Sequence, residues 1–154
     1  RDQYRLSTHV TDLDNIQNPS IHSLLSSKYH EAQMYQLNIH AEIPDPVIHS
    51  YLTDLDLAVV LGHLMNNAID GARKAHEGFI SIAYFDEEGC QSFIVESAIS
   101  DEKALLSMMA SQIPINGGDA GINAVQDILE RYPNTSFSVR SQKHKMMQIL
   151  EMRP

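Results

Sequence analysis

From Asp54 to Ala75 the apolar residues Leu57, Val60, Leu61, Leu64, Ala68 and Ala72 recur at steps of three and four. That spacing places them on one stripe of a long helix. Thr53 supplies its N-cap, and Asp54 and Asp56 put acids in its first turn. A second helix, opened by Pro19-Ser20, is predicted over roughly Ile21 to Tyr35, with Leu24, Leu25, Lys28, Ala32 and Tyr35 along it. Leu37 to Ile43 alternates apolar and polar residues, as a half-buried strand does, and Pro44-Asp45-Pro46 ends it. Phe79–Phe85 and Gln91–Glu96 flank the turn signal Asp86–Gly89 and predict a hairpin. Ser100-Asp101-Glu102 caps a helix through Leu105, Leu106, Met108 and Met109 to about Ser111. Pro114–Gly121 reads as a Gly-rich loop, and Ile122–Arg131 as a further helix with Val125, Ile128 and Leu129 inward. Thr135–Arg140 and Met146–Glu151 close the chain as a hairpin across Ser141–Lys145.

Strands therefore come in antiparallel pairs with helices between them. The expected fold is α+β, a two-layer sandwich with a mixed, mostly antiparallel sheet and helices on one face. Residues 1–18 are polar and without firm period, and read as the end of an upstream linker or dimerisation region. Residues 19–154 read as one domain, a size that supports an adequate core. The chain opens at Arg1 without a Met, which reads as a fragment of a longer protein.

Composition narrows the function classes. A formal net charge of -9 lacks the positive footprint that nucleic-acid binding needs, so no nucleic-acid partner is expected. An anionic ligand would have to be held by local donors or a metal rather than by the overall field. No apolar run has membrane-spanning length and no signal peptide is visible. The single cysteine, Cys90, suits a reducing cytosol and is expected to be a packing residue.

The chemistry sits on the long helix. His63 and Asn67, with Asp70 or Gly71, run along a strip beside its apolar stripe, and Asn66 adjoins Asn67. Adjacent amides in a helix interior are unfavourable, because they compete with the backbone for hydrogen bonds. Either the face is simply solvated, or the amides serve a ligand, a metal or a polar contact at the helix edge. The loop Gly117-Gly118-Asp119-Ala120-Gly121 leads into a helix N-terminus, where exposed N–H groups favour phosphate, although a flexible connector has the same composition. No P-loop, Rossmann fingerprint, HExxH pair, Cys/His cluster or GxSxG occurs. An amide oxygen can ligate Mg²⁺, and Mg²⁺ prefers phosphate oxygens for its other positions. Together the two elements suggest an ATP–Mg²⁺ site without a P-loop.

Leu61-Gly62-His63-Leu64-Met65-Asn66-Asn67-Ala68-Ile69-Asp70-Gly71-Ala72 resembles the N box of sensor histidine kinases, LGNLLDNAIEA in the peptide quorum-sensing receptor kinases. Leu24–Lys28 with Glu31-Ala32 is similar to that family's LLxxKxxEA helix. GGDAGINAVQDILERYPN resembles its GHGLGLKNVxxIxxKYxG. The resemblance runs from about Asn18 to the C-terminus and implies the ATP-binding (GHKL, or Bergerat) fold of these kinases. It implies that Asn67 coordinates the nucleotide's Mg²⁺ and that His63 takes a polar, catalytic position one turn earlier. It places Gly117, Gly118 and Gly121 on the phosphate side and Ser97 at the strand end that reads adenine. Lys74, by spacing, approaches the phosphates.

The sequence also departs from the family. Asp119 replaces the second loop glycine, Ser97 stands where Asp or Asn is usual, no DxGxG follows it, and the loop before Gly121 is short. The phosphoacceptor His is missing, since neither His9 nor His22 has the RHD context. The resemblance thus implies the cytoplasmic catalytic domain of a membrane-anchored homodimeric receptor. It would present the ATP γ-phosphate to a His on upstream dimerisation helices and serve a response regulator. Two alternatives stand beside it: a degenerate interaction module of the same fold with weak or no ATP binding, and an unrelated small α+β binding domain.

Overall fold

The computed structural model describes residues 12–87, 89–100 and 120–154. The helix expected near Leu105–Ser111 and the loop residues 114–119 lie outside these. Helix α1 is Pro19–Met34, α2 is Asp54–Lys74 and α3 is Ala120–Glu130. Strands β1 (Asn38–Glu42), β2 (Phe79–Glu87), β3 (Cys90–Ala98), β4 (Thr135–Gln142) and β5 (Lys145–Met152) form one sheet in the order β1-β2-β3-β5-β4. The β1–β2 pair is parallel and the other pairs are antiparallel. Among the described residues no helix is long and apolar enough to cross a membrane.

One face of the sheet meets the helices. Ile80, Ile82, Tyr84, Phe93, Val95, Leu150 and Met152 alternate with more exposed neighbours and pack with Leu57, Val60, Leu61, Leu64, Met65 and Ala68 of α2. The apolar stripe read from the sequence is therefore the buried stripe of the structure. Leu13 and Ile16 join the same core, and Ile16 bridges to Val47. Thr53 caps α2, its hydroxyl accepting from Asp56 N at 3.2 Å, and Asn18 caps α1.

Three boundaries differ from expectation. α3 begins at Ala120, so Gly121 is helical rather than loop. Gly is a poor helix former, but the apolar face carried by Val125 and Ile128, both buried in the core, outweighs that local preference. The β2–β3 ladder runs to Glu87↔Cys90, with Gly89 just before β3 at φ 74°. The β4–β5 ladder runs to Gln142↔Lys145. Its turn is Lys143-His144 alone, at φ 34° and 64°, the left-handed region that two-residue hairpin turns require and that side chains rarely adopt. His144 holds the turn in place: its Nδ1 lies 2.9 Å from Ser100 O, and its own carbonyl accepts from Ile99 N at 2.9 Å.

Candidate functional site

The two asparagines of α2 have separate tasks. The exposed Asn66 accepts from Lys28 Nζ of α1 at 2.7 Å, and Lys28 also pairs with Glu31. Asn67 faces the sheet side and is half-buried. Its Nδ2 donates to Gln148 Oε1 of β5 at 3.3 Å. Gln148 is 1% exposed, and its Nε2 donates to Leu64 O at 3.0 Å, back on α2.

His63, Leu64 and Asn67 line a cavity of about 60 Å³ with Val125, Gln126 and Leu129 of α3. Phe137 of β4 closes it. The Asn67 helix and the helix after the Gly-rich loop therefore share a cleft. The wall of that cleft is the middle of α3. Gly121 lies a full turn nearer the helix start, roughly 6 Å from Val125 along the axis. Gly117 and Gly118 lie outside the described residues. Lys74 is not part of the cavity. It sits two turns beyond Asn67 and pairs with Asp70 at 3.3 Å, both groups exposed.

Ser97 occupies the end of β3 as expected, one inward position beyond Val95, whose β5 partner is Gln148. It is fully buried, and its Oγ has no hydrogen-bond partner among the described residues. α2 rests directly on this strand end. A Cβ on Gly71 would lie 3.2 Å from Ile99 Cγ2 and 3.3 Å from Ala98 O, so glycine allows the close approach. Gln148 and Asn67 thus bridge sheet and α2, with Asn67 also lining the cavity, while Ser97 pairs in register with Met146 at the strand end.

The family is decided by residues 52–153, which match the GHKL domain. The chain belongs to the GHKL domain family. Its fold is that of histidine kinase catalytic domains. The nucleotide-free catalytic domain of histidine kinase ThkA aligns with a TM-score of 0.69 at 14% identity, covering 88% of this chain and 90% of that one. ThkA in complex with the response regulator TrrA aligns at 0.67 and 16% identity, over 99% and 48%. Full-length ShkA in complex with AMPPNP aligns at 0.66 and 12% identity, over 87% and 29%. None of the curated proteins matches the chain.

In this GHKL domain the sequence reading missed Gln148, a residue it placed in the closing strand without a role. The available signal was a lone amide at an inward position of Met146-x-Gln148-x-Leu150-x-Met152. It also missed the clamp that joins the two helices of the cleft. Asp56, at the start of α2, accepts from Tyr132 Oη at 2.6 Å and from Arg131 Nη2 at 3.0 Å, both just past the end of α3. The Tyr132 hydrogen bond, with those of Thr53 and Arg131 and the Arg131 charge, holds the Asp56 carboxyl below its usual range. A carboxylate with a lowered folded-state pKa stabilises the fold above its unfolded value, near pH 4, and loses that contribution as pH falls through the folded value. Thermal melts from pH 7 down to pH 3 are therefore expected to show a smaller acid-induced drop for Asp56→Asn than for wild type; parallel curves would count against the clamp.

Proposed function

We propose that this GHKL domain binds ATP with Mg²⁺ and acts as the catalytic domain of a two-component sensor histidine kinase. The observation that carries the reading is Asn67: a half-buried amide on α2, held at the mouth of the α2–α3 cleft, with its Oδ1 in no hydrogen bond among the described residues. The donor set fits Mg²⁺ in one specific way. The described residues contain no group of three or more His, Cys, Asp or Glu that would cage an ion. A single neutral amide oxygen is a sufficient protein contribution when phosphate oxygens and water complete the octahedron. The ion supplies charge neutralisation on the phosphates when bound.

The chain's own residues do the positioning. Asn67 presents an oxygen to the metal from a rigid helix. His63, one turn earlier on the same wall, offers an imidazole to the phosphate end. The Gly117–Gly121 segment leading into α3 supplies backbone N–H groups, and Ser97 is the group at the base end. Lys74, engaged with Asp70, must exchange partners to reach a phosphate. Such placement with electrostatic neutralisation is what phosphoryl transfer asks of a protein. The γ-phosphate is presented to a His on dimerisation helices of the same receptor, and the phosphoryl group passes on to a response regulator. The likeness of its N box to that of the peptide quorum-sensing receptors supports reading the domain as the cytoplasmic part of a membrane-anchored homodimer of that kind.

A second reading, a degenerate module working through protein contacts, draws on two observations. The Asn67 cavity of about 60 Å³ is far below the roughly 300–1,000 Å³ of typical ligand pockets, and Ser97 is sealed. Calorimetric titration with ATP and Mg²⁺ separates the two. Saturable wild-type binding, reduced at least roughly tenfold by Asn67→Ala, a loss of about 1.4 kcal/mol, supports the kinase reading. Absence of binding at millimolar ATP overturns it in favour of the module.

A further inference from the structure

Gln148 is an amide held at 1% exposure in the interior of an otherwise apolar strand face. Burying an amide costs free energy unless both its ends are bonded, and here both are. The two bonds run to the same helix. Nε2 donates to Leu64 O at 3.0 Å, and Oε1 accepts from Asn67 Nδ2 at 3.3 Å. The direction of this relay is fixed at its start. A backbone carbonyl can only accept, so Leu64 O must face the NH₂ end of Gln148. The carbonyl end of Gln148 must then face Asn67, and an acceptor there demands the NH₂ end of Asn67. What remains on Asn67 is its oxygen.

We infer that Gln148 is a positioning residue for metal-bound nucleotide, setting the Asn67 amide so that Oδ1, the atom a divalent cation needs, is the end left for the ligand. This rests on the proposed ATP–Mg²⁺ function and names the device that prepares it. An asparagine without such a partner samples both flips of its amide, and half of them offer a cation two N–H groups. The relay also ties the metal-binding amide to the centre of the sheet rather than to a loop, which holds it in place before the ligand arrives. Asn66 cannot replace it, because its oxygen is engaged by Lys28.

The test uses Gln148→Met, close in shape but unable to hold the amide. Leu64 O keeps its helical partner in this variant, and the half-exposed Asn67 Nδ2 can turn to water. ATP binding is measured by calorimetry for wild type and variant, each with Mg²⁺ and with EDTA. In wild type Mg²⁺ is expected to strengthen binding by roughly tenfold or more. In Gln148→Met that enhancement is expected to shrink several-fold while metal-free binding stays within about twofold of wild type. A merely structural role would weaken both arms alike. The nucleotide-free protein gives a second readout: the Asn67 side-chain NH₂ signals in ¹⁵N spectra, assigned through Asn67→Asp, are expected to be protected from exchange in wild type and to lose that protection in Gln148→Met. A Mg²⁺ enhancement unchanged by the substitution, or unaltered Asn67 signals, overturns the role of Gln148 and leaves ATP binding standing. Absence of wild-type ATP binding overturns the proposed function, and the metal role of Gln148 with it.

Discussion

Replacing Phe93 with alanine is expected to lower the unfolding free energy by about 3–5 kcal/mol, the usual cost of truncating a fully buried aromatic ring. Phe93 is 0% exposed in β3, the strand at the centre of the sheet. It meets Tyr84 of β2 edge to face, with ring centroids 5.4 Å apart and planes at 77°, a geometry that adds to the area term. Its register partner on β5 is Leu150, itself completely buried, so neither neighbouring strand can move in to fill the void cheaply. Domains of this kind are held by about 5–15 kcal/mol in all, so the loss is a large share of the total. Urea unfolding followed by circular dichroism reads it directly as a fall in midpoint. A change under about 1 kcal/mol would mean that the core relaxes around this ring far more freely than its packing indicates.

The opposite sign is expected at Ser97. A buried hydroxyl with no partner among the described residues carries its desolvation cost uncompensated, so Ser97→Ala is expected to stabilise the domain by about 1–2 kcal/mol. The substitution removes one oxygen from a site with no room to spare and leaves the backbone pairing with Ile80 and Met146 intact. The same change bears on recognition. On the proposed function this oxygen is the polar group at the base end, so the alanine variant should bind ATP more weakly and distinguish it less from GTP. A stabilised variant with unchanged base preference would remove Ser97 from the site while leaving its energetics explained. A destabilised variant would show that the hydroxyl is bonded after all. Tyr84 Oη has the same unpartnered status, and burial pushes its pKa well above the usual phenol value. Among the described residues, Tyr84 and Ser97 are thus hydroxyls on the helix-facing side of the sheet without a hydrogen-bond partner.

What could be read in advance follows the range of the physics involved. The α2 stripe was legible because Leu57, Leu61, Leu64 and Ala68 repeat with the period of a helix, a property of neighbours in sequence. The same holds for the alternation in β2 and β3 and for the cap at Thr53. The candidate metal role of Asn67 comes from its place in the N box, a local motif. Gln148 was not legible, because its partner lies 81 positions earlier and no local rule pairs them. Nor was the Asp56 clamp, which joins the start of α2 to Arg131 and Tyr132 at the far end of α3. The tight Lys143-His144 turn escaped notice because it lacks the Asn-Gly or Asp-Gly signature of such turns, and its left-handed backbone is enforced by the ladder and by the contacts of His144 with Ile99 and Ser100. The full burial of Ser97 depends on Gly71 letting α2 settle onto the strand end, a consequence of assembly rather than of either segment alone.

That turn has a reach beyond its own residues. A strand shows alternate side chains to opposite faces, so its parity is set wherever the chain reverses. Were one residue inserted between Gln142 and Lys145 and the slip passed along β5, Met147 and Ile149 would swing toward the helices and Gln148 toward the opposite face. The relay to Asn67 would then be severed without any change at Asn67, Gln148 or Leu64. The length of a bend at the rim of the sheet is in this sense part of what orients the Asn67 amide.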